Sequence, residues 1–197
     1  MSLRSFAPIA VLVLLCLLIA AFNPNFLSVS NVIRILNAAA IPMVLVMGAT
    51  FVILMGSIDL SIEGVVSLCA VVTAALVQNN LTGADLGYWA VPIAMLAGGV
   101  VGAVNGATHV LMRIPSFMAT LGIGFVCLGI STAALGGFPV RIADREFRNI
   151  TLGRTFDVPH GVYIALAAVL VAYLIQQRTR LGRWVHAIGT DETTARQ

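Results

Sequence analysis

Hydrophobic residues in this chain fall in long blocks rather than in the spaced stripes of a soluble amphipathic helix. The first block, Phe6 to Phe22, follows Arg4. It exceeds the usual signal-peptide core of about 7 to 15 residues, which favours an uncleaved first span over a secretory signal. Asn23-Pro24 breaks that helix, and Ser30 or Asn31 is placed to cap the next, whose apolar part runs from Ala38 to Met55 with Pro42 and Gly48 inside it. The third block is clean only from Gly64 to Val77. About 14 residues at 1.5 Å each reach roughly 21 Å, short of a hydrocarbon core of about 30 Å. To cross, this span must take in the stretch from Asp59 to Glu63.

Three further blocks follow, Tyr88 to Gly106, Ile114 to Leu135 and Gly161 to Ile175, making six predicted spans. Tyr88 and Trp89 mark an entry as an interfacial aromatic belt would. The fifth span is rich in small residues (Gly122, Gly124, Gly129, Ala133), which let membrane helices approach closely. Polar connections lie at Asn79 to Gly87 and at His109 to Arg113. The longest polar stretch, Gly136 to His160, is expected to hold a short amphipathic segment. The pattern predicts an all-α, polytopic transmembrane helical bundle.

Composition agrees, with 59% hydrophobic and 10% charged residues, against about 25% charged in an ordinary soluble domain. Every one of the 11 basic residues is Arg. Without Lys there is no G-x-x-x-x-G-K-[ST] phosphate loop, so this chain does not carry an ATPase site of that kind. A net charge of +3 from dispersed arginines gives no footprint for nucleic acid. Arg178, Arg180 and Arg183 sit close to a span end, and Arg4 and Arg113 fall on the same side, which marks that side as cytoplasmic. Cys16, Cys69 and Cys127 stand singly in apolar blocks, as small hydrophobes and not as a disulfide or metal framework. His109, His160 and His186 have no partner at ligand spacing, and no metal site is indicated.

The candidate chemistry begins at MGSIDLSIEG. A charge at the bilayer centre costs about 2.5 to 3.5 kcal/mol on insertion scales, so Asp59 and Glu63 are expected to face protein, water or a membrane surface. Asp59 can cap a helix starting at Leu60, with Glu63 in its first turn, both meeting the positive end of the helix dipole. One reading makes this a structural helix break; the other makes the carboxylates part of a polar pathway. Asn105 and Thr120, flanked by glycines in GAVNGATHVLMRIPSFMATLG, are capping residues on the blander view and pathway residues on the other. The tail RTRLGRWVHAIGTDETTAR is polar and partly amphipathic.

These three stretches, in this order, resemble the membrane permease subunits of bacterial ABC importers for monosaccharides of the ribose, galactose and xylose type. That family carries GG-x-DLS-[VI]-G, then G-x-x-NG followed by [IV]-P-x-F-x-x-TLG, then R-T-x-x-GR-x-x-x-AIG. Here Ser57 replaces a Gly, and Glu63 stands where a small residue is usual. The resemblance implies a permease domain over residues 1–197, with about six of about ten spans present. It implies an extracytoplasmic loop at 136–160 and a cytoplasmic coupling segment at 178–197, in which Arg183, Gly189, Asp191, Glu192 and Ala195 meet an ATPase. The candidate pathway residues are Asp59, Ser61, Glu63, Asn105 and Thr120.

The expected function is ATP-driven import of a monosaccharide or similar small polyol across the bacterial inner membrane. The chain is then a multi-pass transport subunit, not an enzyme, and has no cofactor of its own, because ATP is bound by the partner. Its expected partners are an ABC ATPase subunit, a periplasmic or extracellular sugar-binding protein, a second permease copy or paralogue, and the bilayer. The alternative is an ion-coupled secondary transporter using Asp59 or Glu63 as a protonatable site.

Overall fold

The computed structural model describes residues 6–136 and 138–190. Eight α-helices follow in order: α1 Ala7–Phe22, α2 Val29–Leu54, α3 Ile62–Leu76, α4 Ala90–Met112, α5 Ser116–Leu135, α6 Arg145–Leu152, α7 His160–Arg178 and α8 Arg180–Thr190. By length and composition α2, α4 with its leading turn, α5 and α7 can each cross a membrane, whereas α1 and α3 are shorter apolar helices.

The helices begin and end where side chains can satisfy free backbone groups. α2 starts at Val29, earlier than the Ala38 expected. Its cap is Ser28, whose Oγ accepts from the Asn31 N–H at 3.3 Å, not Ser30 or Asn31. Asn31 instead turns its amide back to donate to the Phe26 carbonyl at 2.8 Å. At the other end, Gly56 adopts a left-handed φ of +76°. The Gly56 N–H donates to Ile53 O at 2.9 Å and the Ser57 N–H to Val52 O at 3.2 Å, which is a Schellman closure.

α4 runs on to Met112, past the predicted Gly106, and stops at Arg113, whose φ of 55° closes the turn. His109 Nδ1 meets the Ile114 carbonyl across this turn at 2.7 Å, and because a carbonyl only accepts, Nδ1 carries the proton.

Two groups of helices make up the bundle. α2 packs along α7, with α6 and α8 against α7, while α3 lies between α4 and α5. α3 and α5 cross backbone to backbone: a Cβ on Gly64 would overlap the Gly124 carbonyl, and one on Gly124 would lie 3.1 Å from Ser61 Cα. The buried residues of α5, Ala119, Thr120, Gly124, Cys127 and Ser131, form the face that meets α3 and α4.

At one end of the bundle the loops are tied together. Ala143 N–H donates to Gln78 O at 2.8 Å and Arg141 N–H to Asn80 Oδ1 at 2.7 Å. The amphipathic segment expected in this stretch is α6, capped by Asp144, which accepts from Glu146 N–H at 2.8 Å and Phe147 N–H at 3.0 Å. A two-residue hairpin follows, Arg154–Thr155 pairing antiparallel with Val158–Pro159. His160 sits at its foot, with Nδ1 at 3.0 Å from Asn149 O and Nε2 at 2.9 Å from Thr155 Oγ1.

Candidate functional site

The helix break predicted at MGSIDLSIEG is present, two residues longer than expected. α3 begins at Ile62, and residues 57–61 are non-helical, so Asp59 does not cap a helix starting at Leu60. At about 1.5 Å per residue the 15 residues of α3 give roughly 22 Å. The non-helical residues 57–61 add to that length.

A non-helical segment inside apolar surroundings leaves backbone N–H groups that need partners. α5 provides them. The Ile58 N–H donates to Ser116 Oγ at 3.1 Å and the Leu60 N–H to Thr120 Oγ1 at 3.0 Å. Ser116 and Thr120 therefore act as surrogate acceptors. The Thr120 hydroxyl proton has two acceptors, Ile58 O and Phe117 O, each at 3.4 Å.

Asp59 serves the same segment from within. Its Oδ1 accepts from the Ser61 N–H at 2.8 Å and from the Ser61 hydroxyl at 2.6 Å, an Asx turn. Because a carboxylate only accepts, the Ser61 proton points at Asp59, and Ser61 Oγ is left to accept from Asn105 Nδ2 at 2.8 Å. That fixes which way round the Asn105 amide sits. Its Oδ1 is turned away, buried, and without a partner among the described residues. An orphaned buried acceptor costs about 1 to 3 kcal/mol.

A cavity of about 530 Å³ opens beside this chain of hydrogen bonds, between α2 and the α3, α4 and α5 group. That volume lies within the usual range of about 300 to 1,000 Å³ for ligand pockets. The α2 wall is apolar, with Val44, Leu45, Gly48, Ala49 and Val52; the opposite wall carries Asp59, Ser61, Asn105, His109, Ser116 and Thr120. No Arg among the described residues lines it. Among the described residues no group of three or more His, Cys, Asp or Glu is placed to hold a metal ion.

Four of the five expected pathway residues, Asp59, Ser61, Asn105 and Thr120, thus share one site. Glu63 does not join them. It is exposed in the first turn of α3 and does not line the cavity, because it points off a different face from Ile62, Val65 and Val66. Ser116 and His109 were not foreseen as site residues. Ser116 was findable, since it stands four residues before Thr120 and on the same helix face.

In the tail, α8 carries Arg183 exposed, whereas Gly189 lies against Leu54 at the end of α2. Asp191, Glu192 and Ala195 lie outside the described residues.

A bundle of apolar helices with a polar break facing a cavity is the architecture of a multi-pass membrane protein. The chain belongs to the family described as branched-chain amino acid transport system / permease component, whose model matches residues 31–197. It is similar to the ribose import permease protein RbsC of Escherichia coli strain K12, 31% identical over 192 residues, covering 95% of this chain and 58% of that protein. The galactose/methyl galactoside import permease protein MglC of Haemophilus influenzae is 29% identical over 202 residues, covering 94% of this chain and 60% of that protein. The D-allose transport system permease protein AlsC of Escherichia coli strain K12 is 28% identical over 186 residues, covering 94% and 56%. The chain therefore spans less than two-thirds of the length of these relatives. No solved structure matches it.

Proposed function

We propose that this chain is the membrane permease subunit of an ATP-driven ABC importer of the bacterial inner membrane, and that it passes a monosaccharide or similar small polyol. ATP hydrolysis belongs to a separate ATPase subunit, and a soluble binding protein delivers the sugar to a pathway formed with a second permease subunit. Relatives that import ribose, galactosides and allose support the class.

The observation that carries the choice of substrate is the polar wall of the cavity. It offers acceptors, Asp59 among them, and no Arg among the described residues lines the space. The hydroxyls of a sugar are donors that such a wall can receive. A zwitterionic amino acid, the substrate in the family's description, would bring an ammonium that suits Asp59 but also a carboxylate with no Arg to meet it among the described residues. The ion-coupled alternative draws no support from these relatives, all of them named as import or transport-system permeases.

The test is reconstitution of the full-length permease in liposomes with its ATPase and binding protein. Uptake of a labelled monosaccharide that requires ATP, with leucine not taken up, is the expected result. Leucine uptake, or sugar uptake unaffected by omitting the ATPase, would overturn the reading.

A further inference from the structure

Gly189 falls among the positions that the resemblance assigns to contact with the ATPase, yet here its backbone rests on the permease's own α2. A Cβ at position 189 would overlap the Leu54 carbonyl and come within 3.5 Å of Met55 Cα. We propose that Gly189 is a positioning residue: its contact with Leu54 is the joint through which movement of α8 reaches the Asp59 segment and reshapes the cavity. This rests on the importer reading above.

The link can be followed atom to atom. Leu54 is the last residue of α2 and lies inside the Schellman closure, between the carbonyls of Val52 and Ile53 and the N–H groups of Gly56 and Ser57. Those two bonds close the turn, with Gly56 at φ +76° inside it. Directly beyond it, Ser57 and Asp59 line the cavity, and Ile58 hangs from Ser116. A push on Leu54 therefore arrives at the cavity wall within a few residues of chain.

The other end of α8 is held as closely. A Cβ on Gly182 would overlap the Gln176 carbonyl of α7, and Thr179 Oγ1 accepts from the Gly182 N–H at 3.4 Å while donating to Ile175 O at 2.6 Å. α8 is thus a short bracket spanning the C-terminal ends of α7 and α2. Its two backbone contacts, at Gly182 and Gly189, have no side chain between them to absorb a displacement. Gly inside a helix costs about 1 kcal/mol relative to Ala, a cost that close approach explains here.

The experiment uses the full-length permease reconstituted with its ATPase and binding protein, reading ATP hydrolysis and sugar uptake separately. Gly189→Ala lifts α8 off Leu54. Val185→Ala removes side-chain volume one turn earlier on the same face and adds no collision. Both variants are expected to co-purify with the ATPase and to hydrolyse ATP, while uptake per ATP hydrolysed falls about tenfold, within the usual range of coupling between sites.

A second readout is thiol labelling of Ser57→Cys in a chain whose Cys16, Cys69 and Cys127 are replaced by Ala. The labelling rate is expected to change on ATP binding with Gly189 present and to stop responding in Gly189→Ala. Should Gly189→Ala fail to assemble, Val185→Ala decides. Unchanged uptake per ATP in Val185→Ala, or loss of ATPase binding by a correctly folded Gly189→Ala permease, overturns the proposal. Absence of ATP-dependent uptake in the parent complex overturns the importer reading instead.

Discussion

Two residues at the helix break look alike as polar groups in an apolar setting, yet they carry opposite energetic signs. Thr120 satisfies the Leu60 N–H, so Thr120→Val leaves a backbone donor without its partner. The expected cost is about 1 to 3 kcal/mol, seen as a lower thermal midpoint in detergent, with Thr120→Ser close to the parent. Asn105 is different, because its Oδ1 already has no partner. Asn105→Leu removes that orphan at the loss of one bond to Ser61 Oγ, and stability is expected to hold or rise by up to about 1 kcal/mol. Sugar uptake by the reconstituted complex should nevertheless fall, since a group kept at a cost in stability is kept for function. Equal uptake in Asn105→Leu and parent would make Asn105 a packing residue.

At the scale of elements, the blocks of apolar residues revealed the helices because the bilayer, not a soluble core, sets their length. Their starts were harder to place. Asn31, Arg34 and Asn37 made the first turns of α2 look like a connection, whereas Ser28 caps the helix and carries it through them. Asp59 was read as a cap because an N-cap and an Asx turn use the same chemistry, a carboxylate accepting an N–H two residues on. Only the position of α5 distinguishes them, and that is a tertiary fact. The glycines likewise look equivalent in sequence but are not in space. Gly64→Ala and Gly124→Ala push backbone against backbone at the crossing of α3 and α5, and each is expected to cost about 1 to 3 kcal/mol. A methyl at Gly129 meets nothing within 4 Å. Gly129→Ala should stabilise by about 0.5 to 1 kcal/mol through helix propensity. Thermal unfolding of the three purified variants side by side checks the contrast.

Across the whole molecule, contacts sort the loops into two ends. α8 bridges the C-terminal ends of α2 and α7, through Gly189 on Leu54 and Gly182 on Gln176, and the start of α5 joins them through Ser116 and Ile58. Arg113, Arg178, Arg180 and Arg183 belong to this end. The opposite end gathers Gln78, Asn80, Arg141 and Ala143, with α6 and the hairpin beyond. Arginine content alone does not choose between the two, because Arg145, Arg148 and Arg154 lie on the far side. What differs is proximity to span ends, where positive charge governs insertion: Arg113, Arg178 and Arg180 adjoin the ends of membrane helices on the α8 side, against Arg34 in the early turns of α2 on the other, while Arg145, Arg148 and Arg154 lie in α6 and the hairpin. On this ground we propose that the α8 end faces the cytoplasm. Phe156, at 92% exposure on the hairpin tip, and the exposed Arg180 are suitable reporters for the two ends. In a background with Cys16, Cys69 and Cys127 replaced, Phe156→Cys should react with an impermeant maleimide in right-side-out vesicles, and Arg180→Cys only after lysis. The opposite pattern would place α8 outside, where no ATPase could reach it, and would remove both the importer reading and the role given to Gly189.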